Sequence, residues 1–272
     1  MSLGRVLSSS GSIPTAVVLS GVYLYSRLQA GGGQVLAPSD RSSARSSVAS
    51  SRLARHPMRF RLRDGSVVRC RIVDAGGLLS VSVDRDYDVP GLDWTALRTI
   101  VDIGAHVGTF TVWAARRSPR ARILAVEPNP ETFAFLQRNI RDNGLRDRVV
   151  AVNAAVGPES GAGTLELVEH SLGTRLARAG SGTVKVNVET IPSLLGAAGI
   201  DEVDLLKIDC EGMEYEVFGT LPPDQLSRFG VIACEFHPEP GHGVKELDDL
   251  LHLGGFKVQR PDAPLGVLWA TR

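Results

Sequence analysis

The stretch Val101-Asp102-Ile103-Gly104-Ala105-His106-Val107-Gly108-Thr109-Phe110, followed by Ala125-Val126-Glu127-Pro128-Asn129, constrains this chain more than any other. It reads as an apolar strand, a glycine turn, a helix, a second strand and an acid at that strand's tip. Such an order belongs to a parallel α/β sheet that holds a nucleoside. Glycines let the backbone approach a ligand closely, and the acid can accept hydrogen bonds from two ribose hydroxyls. The turn runs Asp102-x-Gly104-x-x-x-Gly108. It is neither the G-x-G-x-x-G of dinucleotide sites nor the G-x-x-x-x-G-K-[ST] that cradles a triphosphate. Glu127 follows Gly108 at about the 20-residue spacing at which an acid meets a ribose. A ligand without a pyrophosphate needs only a narrow turn and an acid near a positive group. Asp102 offers that acid. The methionine portion of S-adenosylmethionine carries an ammonium and a sulfonium, and Asp102 is expected to meet the ammonium directly or through water. A purely structural turn with a solvent-facing Glu127 leaves the pairing of the two acids unexplained. His106 reads as a spacer packed within the turn.

The chain has 272 residues, of which 43% are hydrophobic, enough for one large α/β domain and an appendage. Thirty basic and 30 acidic residues balance to zero net charge, which speaks against bulk attraction to nucleic acid or an anionic membrane. Cys70, Cys210 and Cys234 lie far apart with no C-x-x-C spacing, so neither a zinc site nor a disulfide framework is suggested, and a cytoplasmic setting is the simplest reading. The apolar run Thr15 to Tyr25 is too short to span a bilayer. Membrane contact through residues 15–25 is weighed against a loosely docked helix or strand, which is favoured. Residues 31–56, rich in Gly, Ser, Ala and Arg, read as a flexible linker.

Three parts follow: an apolar segment and linker over 1–56, a β-rich cap over 57–96 and the main domain over 97–272. In the cap, Asp64-Gly65 between alternating runs signals a hairpin, and Leu78 to Val83 reads as a further strand. In the main domain, strands are expected over 99–103, 123–126, 148–156, 203–209 and 231–236, with helices over 109–117 and 244–253. Asn129 serves as N-cap and Pro130 as first residue of a helix whose Phe133, Leu136 and Ile140 share one buried face. Alternating strands and helices give right-handed crossovers and a parallel sheet. Residues 163–168 and 183–188 read as an inserted ribbon.

Two more constellations carry chemistry. Lys207-Ile208-Asp209-Cys210-Glu211-Gly212-Met213-Glu214 follows an apolar strand, and Cys234-Glu235-Phe236-His237 ends the next. Adjacent parallel strands bring Asp209, Glu211, Glu235 and His237 to one rim, where open α/β sheets place ligands. The rim reads as a base cluster or a divalent-metal site, with Asp209, Glu211 and Glu235 as the oxygen ligands suited to magnesium. The plain alternatives are a surface histidine at a proline turn and, for Glu211, charge compensation at a helix N-terminus.

These motifs, with Phe133, Leu136, Asn139, Asn143 and the Leu206-Lys-Ile-Asp-Cys-Glu-Gly-Met-Glu214 run, resemble FkbM-type methyltransferases from about Asp84 onward. The resemblance implies an α/β, Rossmann-like class I methyltransferase sheet, mostly parallel with an antiparallel last strand, preceded by the small β-rich cap. It implies S-adenosylmethionine as methyl donor and a hydroxyl on a sugar, polyketide or other small natural product as acceptor. By position, Asp102, Gly104 and Gly108 line the methionine end. Glu127 takes the ribose, Asn153 and Ala154 flank adenine, and Asp209 and Glu211 face the methyl group. Thr190-Ile191-Pro192-Ser193 stands where the family often carries acids, which leaves their role unfilled. In-line positioning can supply ~7–11 kcal/mol and a general base ~10²–10⁴-fold. His237 is the expected base, with Asp209 or Glu211 competing. A second copy of the chain is admitted as a partner. The rival functions are a nicotinamide-dependent oxidoreductase and a non-catalytic nucleoside-binding protein of the same fold. Acceptor selectivity is expected in the ribbon around residues 169–173 and in the cap.

Overall fold

The computed structural model describes Ser10 and residues 55–166, 175–176, 184–237, 239–261 and 266–272. The apolar run 15–25, the linker up to residue 54 and the ribbon tip 169–173 lie outside the described residues. Among those described, no helix is long and apolar enough to cross a membrane.

The centre is a seven-stranded sheet built from β3 (Thr99–Ile103), β4 (Arg122–Val126), β5 (Val149–Val152), β10 (Val203–Ile208), β11 (Phe229–Phe236), β12 (Lys257–Gln259) and β13 (Gly266–Thr271), in the order β12-β13-β11-β10-β3-β4-β5. β5, β4, β3, β10 and β11 run parallel, and β13 runs against both its neighbours. Parallel strands need crossover helices, and these cover both faces. α2 (Thr109–Arg117) and α3 (Pro130–Asp142) pack on one face through Phe110, Trp113, Leu136 and Ile140. α4 (Ile191–Ala198), α5 (Glu214–Thr220) and α7 (Val244–Leu253) pack on the other through Leu194, Phe218 and Leu251. A one-turn helix, α6 (Pro223–Leu226), leads into β11. α3 begins as expected: Asn129 Oδ1 accepts from Glu131 N at 3.0 Å and Pro130 occupies the first turn.

The strand expected over 148–156 divides. β5 stops at Val152, and β6 (Ala155–Val156) joins a separate four-stranded sheet with β7 (Gly161–Glu166), β8 (Arg175–Leu176) and β9 (Val184–Glu189). Asn153 marks the break; its Nδ2 donates to Glu127 O and Pro128 O at 2.8 and 3.0 Å, bending the chain toward the β4 tip. In the cap, β1 (Pro57–Arg61) and β2 (Val67–Arg71) form the expected hairpin. The strand expected over 78–83 is instead helical. A 3₁₀ turn (Ile72–Asp74) leads into α1 (Gly76–Leu79), and a π-helical stretch follows over Ser80–Asp84. Leu78, Leu79 and Val83 bury against Phe60, Val68 and Val107. A short apolar run fits either state by periodicity, and here the packing surface selects the helix.

Candidate active site

The site lies at the carboxyl ends of β3, β4 and β10, the position open parallel sheets give their ligands. One cleft is lined by Gly104, His106, Glu127, Ala154, Asp209 and Glu211. With its open mouth included it measures about 620 Å³. Leu165 of β7 and Leu176 of β8 close one side of it, and these two residues face each other in the ribbon's register.

Gly104 has φ of +70°, and a Cβ there would fall 1.8 Å from the carbonyl oxygen of Asp209. Only glycine allows the β3 turn and the β10 tip to touch. Gly108, with φ of +86°, meets Leu136 instead, where a Cβ would lie 2.6 Å from its Cδ1. Gly108 therefore serves the docking of α3 and lines no part of the cleft.

Glu127 is 6% exposed at the cleft floor. Its Oε2 accepts from His106 N at 2.7 Å, and its Oε1 accepts from Asn129 N at 2.9 Å and Thr132 Oγ1 at 2.7 Å. Burial outweighs these donors and raises its pKa from 4.5 to about 7. His106, at φ of +53°, is more than a spacer: it lines the cleft, and its amide fixes Glu127. Burial lowers its imidazole pKa to about 4 against the pull of Asp74, so the ring is neutral.

Asp102 is fully buried beneath the turn. Thr111 Oγ1 donates to it, and Lys207 Nζ lies 3.4 Å from its Oδ1. Direct contact with a ligand ammonium is not what this geometry offers. Its part is to hold Lys207, which itself is 3% exposed. Lys207 Nζ also donates to Ile103 O at 3.1 Å and Gly104 O at 2.7 Å, and stands 3.5 Å from Asp209 Oδ2. One ammonium thus fastens the glycine turn to the strand that carries Asp209. A lysine inside the apolar run of β10 is the sequence signal for this, because a buried cation needs facing acids.

The β10–α5 loop is shaped by Glu214. Its buried carboxylate accepts from Cys210 N at 2.8 Å and Gly212 N at 2.9 Å. Glu211 takes φ of +55° and Gly212 +106°, which turns the loop at the cleft mouth. His237 closes the group. Its Nδ1 is 3.2 Å from Glu214 Oε1, and its Nε2 is 3.4 Å from Glu211, 3.9 Å from Glu235 and 4.0 Å from Asp209. Desolvation opposes charge on this ring, but the Glu214 hydrogen bond and the charges of Glu214, Glu211 and Asp209 win, and raise its pKa to about 10. The carboxylates around it favour the imidazolium form of His237, which weighs against the role of base expected from the sequence. Glu235, expected as a third oxygen ligand beside Asp209 and Glu211, is bonded to the Tyr87 hydroxyl. Among the described residues, Asp209, Glu211 and His237 form the group whose possible ligand atoms all come within 4.8 Å of one another. Of the residues read from sequence, Gly104, Glu127, Ala154, Asp209 and Glu211 share the cleft wall; Asn153, Gly108, Asp102, Glu235 and His237 stand behind or beside it.

The sheet order, the antiparallel β13 and an acid-lined cleft at the strand tips define a Rossmann-like class I methyltransferase, which uses S-adenosylmethionine. The model of the methyltransferase FkbM domain matches residues 102–258, and the chain belongs to that family. It is similar to Methyltransferase sdnD of Sordaria araneosa, with 29% identity over 67% of this chain and 82% of that one. It is also similar to the 31-O-demethyl-FK506 methyltransferase FkbM of Streptomyces tacrolimicus, with 25% identity over 68% of this chain and 82% of that one. Among solved structures, an O-methyltransferase family protein from Burkholderia thailandensis matches at 14% identity and a TM-score of 0.46, over 73% of this chain and 57% of that one. The nicotinamide-dependent alternative falls with the family match.

Proposed function

We propose that this methyltransferase acts on a hydroxyl oxygen of a small polar molecule. The observation that carries the reading is the shared cleft wall of Gly104, Glu127 and Asp209. It joins a ribose-gripping acid to an acid at the place where a methyl group would leave. The residues fit the donor: Glu127 offers carboxylate lone pairs at the cleft floor, and Asp209 Oδ1 accepts no hydrogen bond although it is buried. S-adenosylmethionine supplies an electrophilic methyl on a positively charged sulfur. Glu127 would hold its ribose, Gly104 would let it approach, and Ala154, Val156 and Leu176 would cover its base.

Asp209 is the proton acceptor this reading favours, because it lines the cleft and its Oδ1 accepts no hydrogen bond while its Oδ2 is held near Lys207. The His237 ring then donates to Glu214 through Nδ1 and offsets the charge of Glu211 from Nε2. A cation-assisted reading rests on the Asp209–Glu211–His237 cluster, with Glu214 orienting the imidazole as an outer carboxylate orients a metal-bound histidine. A nitrogen ligand suits manganese or zinc better than magnesium. A ligating imidazole must be neutral, so a bound cation and a protonated His237 exclude each other.

Calorimetry with S-adenosylhomocysteine and with NAD tests the donor; binding of NAD instead would overturn it. Turnover over a panel of alcohol and amine acceptors separates oxygen from nitrogen transfer. Chelation followed by addition of magnesium or manganese tests the cation: unchanged turnover is expected, and loss with recovery would establish the metal.

A further inference from the structure

Zero net charge over the whole chain conceals a local segregation. Residues 55–71 carry six arginines against one acid, Asp64. The β1–β2 hairpin sorts them, because successive side chains of a strand point to opposite faces. Phe60, Leu62, Val68 and Cys70 bury on one face against Leu78 and Val107. Arg59 and Arg61 lie on the other and are exposed, as is Arg63 just past the strand. The hairpin register sets Arg59 directly opposite Arg69, and like charges so placed weaken a ladder.

The neighbouring helix enlarges this face. Arg69 is held by Asp142 at 2.5 Å, and Arg71 by Asp74 and Glu131. Beside Asp142, α3 presents Arg138 and Arg141, both exposed. The Arg69 hydrogen bond, and after it the charges of Arg69, Arg138 and Arg141, hold the Asp142 carboxyl below its usual range. Three arginines therefore surround that one acid. Folding explains the apolar side of the hairpin. It does not explain an excess of arginine on the other side, which works against the ladder.

The kind of polyanion follows from what else the face offers. Pro57, Val67 and arginines make up the outward side of the two strands, with no aromatic among them, whereas single strands of nucleic acid are held by stacking on aromatic rings. Ser10 bridges Leu62 at the end of β1, and the sequence that continues from Ser10 contains the uncharged apolar run Thr15 to Tyr25. Basic charge combined with an apolar element anchors a chain to a bilayer more firmly than either does alone.

We propose that the arginine face of the β1–β2 hairpin, continued by Arg138 and Arg141 of α3, is a docking surface for an anionic phospholipid bilayer. The inference concerns where the enzyme works and stands apart from the reading of Asp209 and the acceptor. Balanced composition speaks for the chain as a whole, whereas a bilayer meets only one face of it.

Flotation of the full chain with vesicles tests this. Vesicles of phosphatidylcholine mixed with phosphatidylglycerol are expected to carry the protein, and phosphatidylcholine alone to leave most of it behind. Each arginine near an anionic surface contributes about fivefold to binding. Arg59→Glu and Arg138→Glu should therefore each weaken it about tenfold or more, and raised salt should weaken binding of the unaltered protein. Lys257→Glu makes the same charge change on the edge strand β12 and should leave binding unchanged. Melting and S-adenosylhomocysteine affinity should match across all three variants, which separates a lost surface from a lost fold. No flotation with phosphatidylglycerol, equal flotation without it, or a loss in Lys257→Glu equal to that in Arg59→Glu would overturn the proposal. So would capture by an RNA oligonucleotide or by polyglutamate at lower concentration than by the vesicles.

Discussion

Glu127 holds the turn together and offers its remaining lone pairs to a ligand, and its pKa makes both roles depend on pH. Its folded pKa of about 7 lies above the usual 4.5 because of burial. The folded state therefore binds a proton more tightly, and the stability gained from Glu127 is full below about 4.5 and lost as pH rises through 7. Ligand binding moves the other way, because ribose hydroxyls donate to the ionised carboxylate. S-adenosylhomocysteine affinity should fall on the order of tenfold per pH unit below 7 and level off above it. Calorimetry across pH checks this, and Glu127→Gln should bind weakly with no such slope. Lys207 presents the opposite case. Replacing it with Met leaves Asp102 buried and uncompensated, which should cost ~3–5 kcal/mol in urea unfolding. An equal loss in Lys207→Arg would show that shape matters there more than charge.

Among the elements, α3 shows how a helix can complete a strand. Asn139 Oδ1 accepts from Arg69 N at 2.8 Å and its Nδ2 donates to Arg69 O at 2.9 Å. Asn143 does the same for Val67, at 2.9 and 2.7 Å. Four residues of helix rise ~6 Å and two of strand ~6.6 Å, so one helical turn matches every second residue of β2. Asn139 Nδ2 also donates to Val107 O at 2.8 Å, tying the glycine turn to the cap. Asn139→Ala should lose ~1–3 kcal/mol by leaving buried backbone groups unpaired, measured by urea denaturation. The sequence marked both asparagines as part of a family pattern, but their work needs β2 in place and no local spacing reveals it. The helices whose boundaries were legible, α2 and α7, carry their signals locally, and α3 has its own cap, proline and apolar stripe. The 78–83 helix and the break at Asn153 were hidden for the same reason as the asparagines: distant packing decides them. The site divides likewise. Gly104, Glu127 and Asp209 stand at strand tips that periodicity locates, whereas the Tyr87 bridge and the charge on His237 arise from four separate elements meeting.

At the scale of the whole molecule, the end of the cap packs into the core of the sheet, while its hairpin keeps a cluster of its own around Phe60 and Leu78. Tyr87, Val89 and Trp94 pack with Ile100, Phe110 and Trp113 in a single cluster, and the Trp94 and Trp113 rings meet edge-on at 4.7 Å. A domain that shares its core with its neighbour has no separate unfolding equilibrium. The full chain should therefore melt in one transition, followed equally by tryptophan fluorescence, which reads the cap–sheet junction, and by far-ultraviolet circular dichroism, which reads the whole. S-adenosylhomocysteine at a hundred times its Kd should stabilise that one transition by about 2.7 kcal/mol, although it touches only the strand tips. Two separated transitions, with only one of them raised by ligand, would mean that the cap folds independently. The cap would then be a lid hinged on the sheet, and the Tyr87–Glu235 hydrogen bond would be a contact that opens.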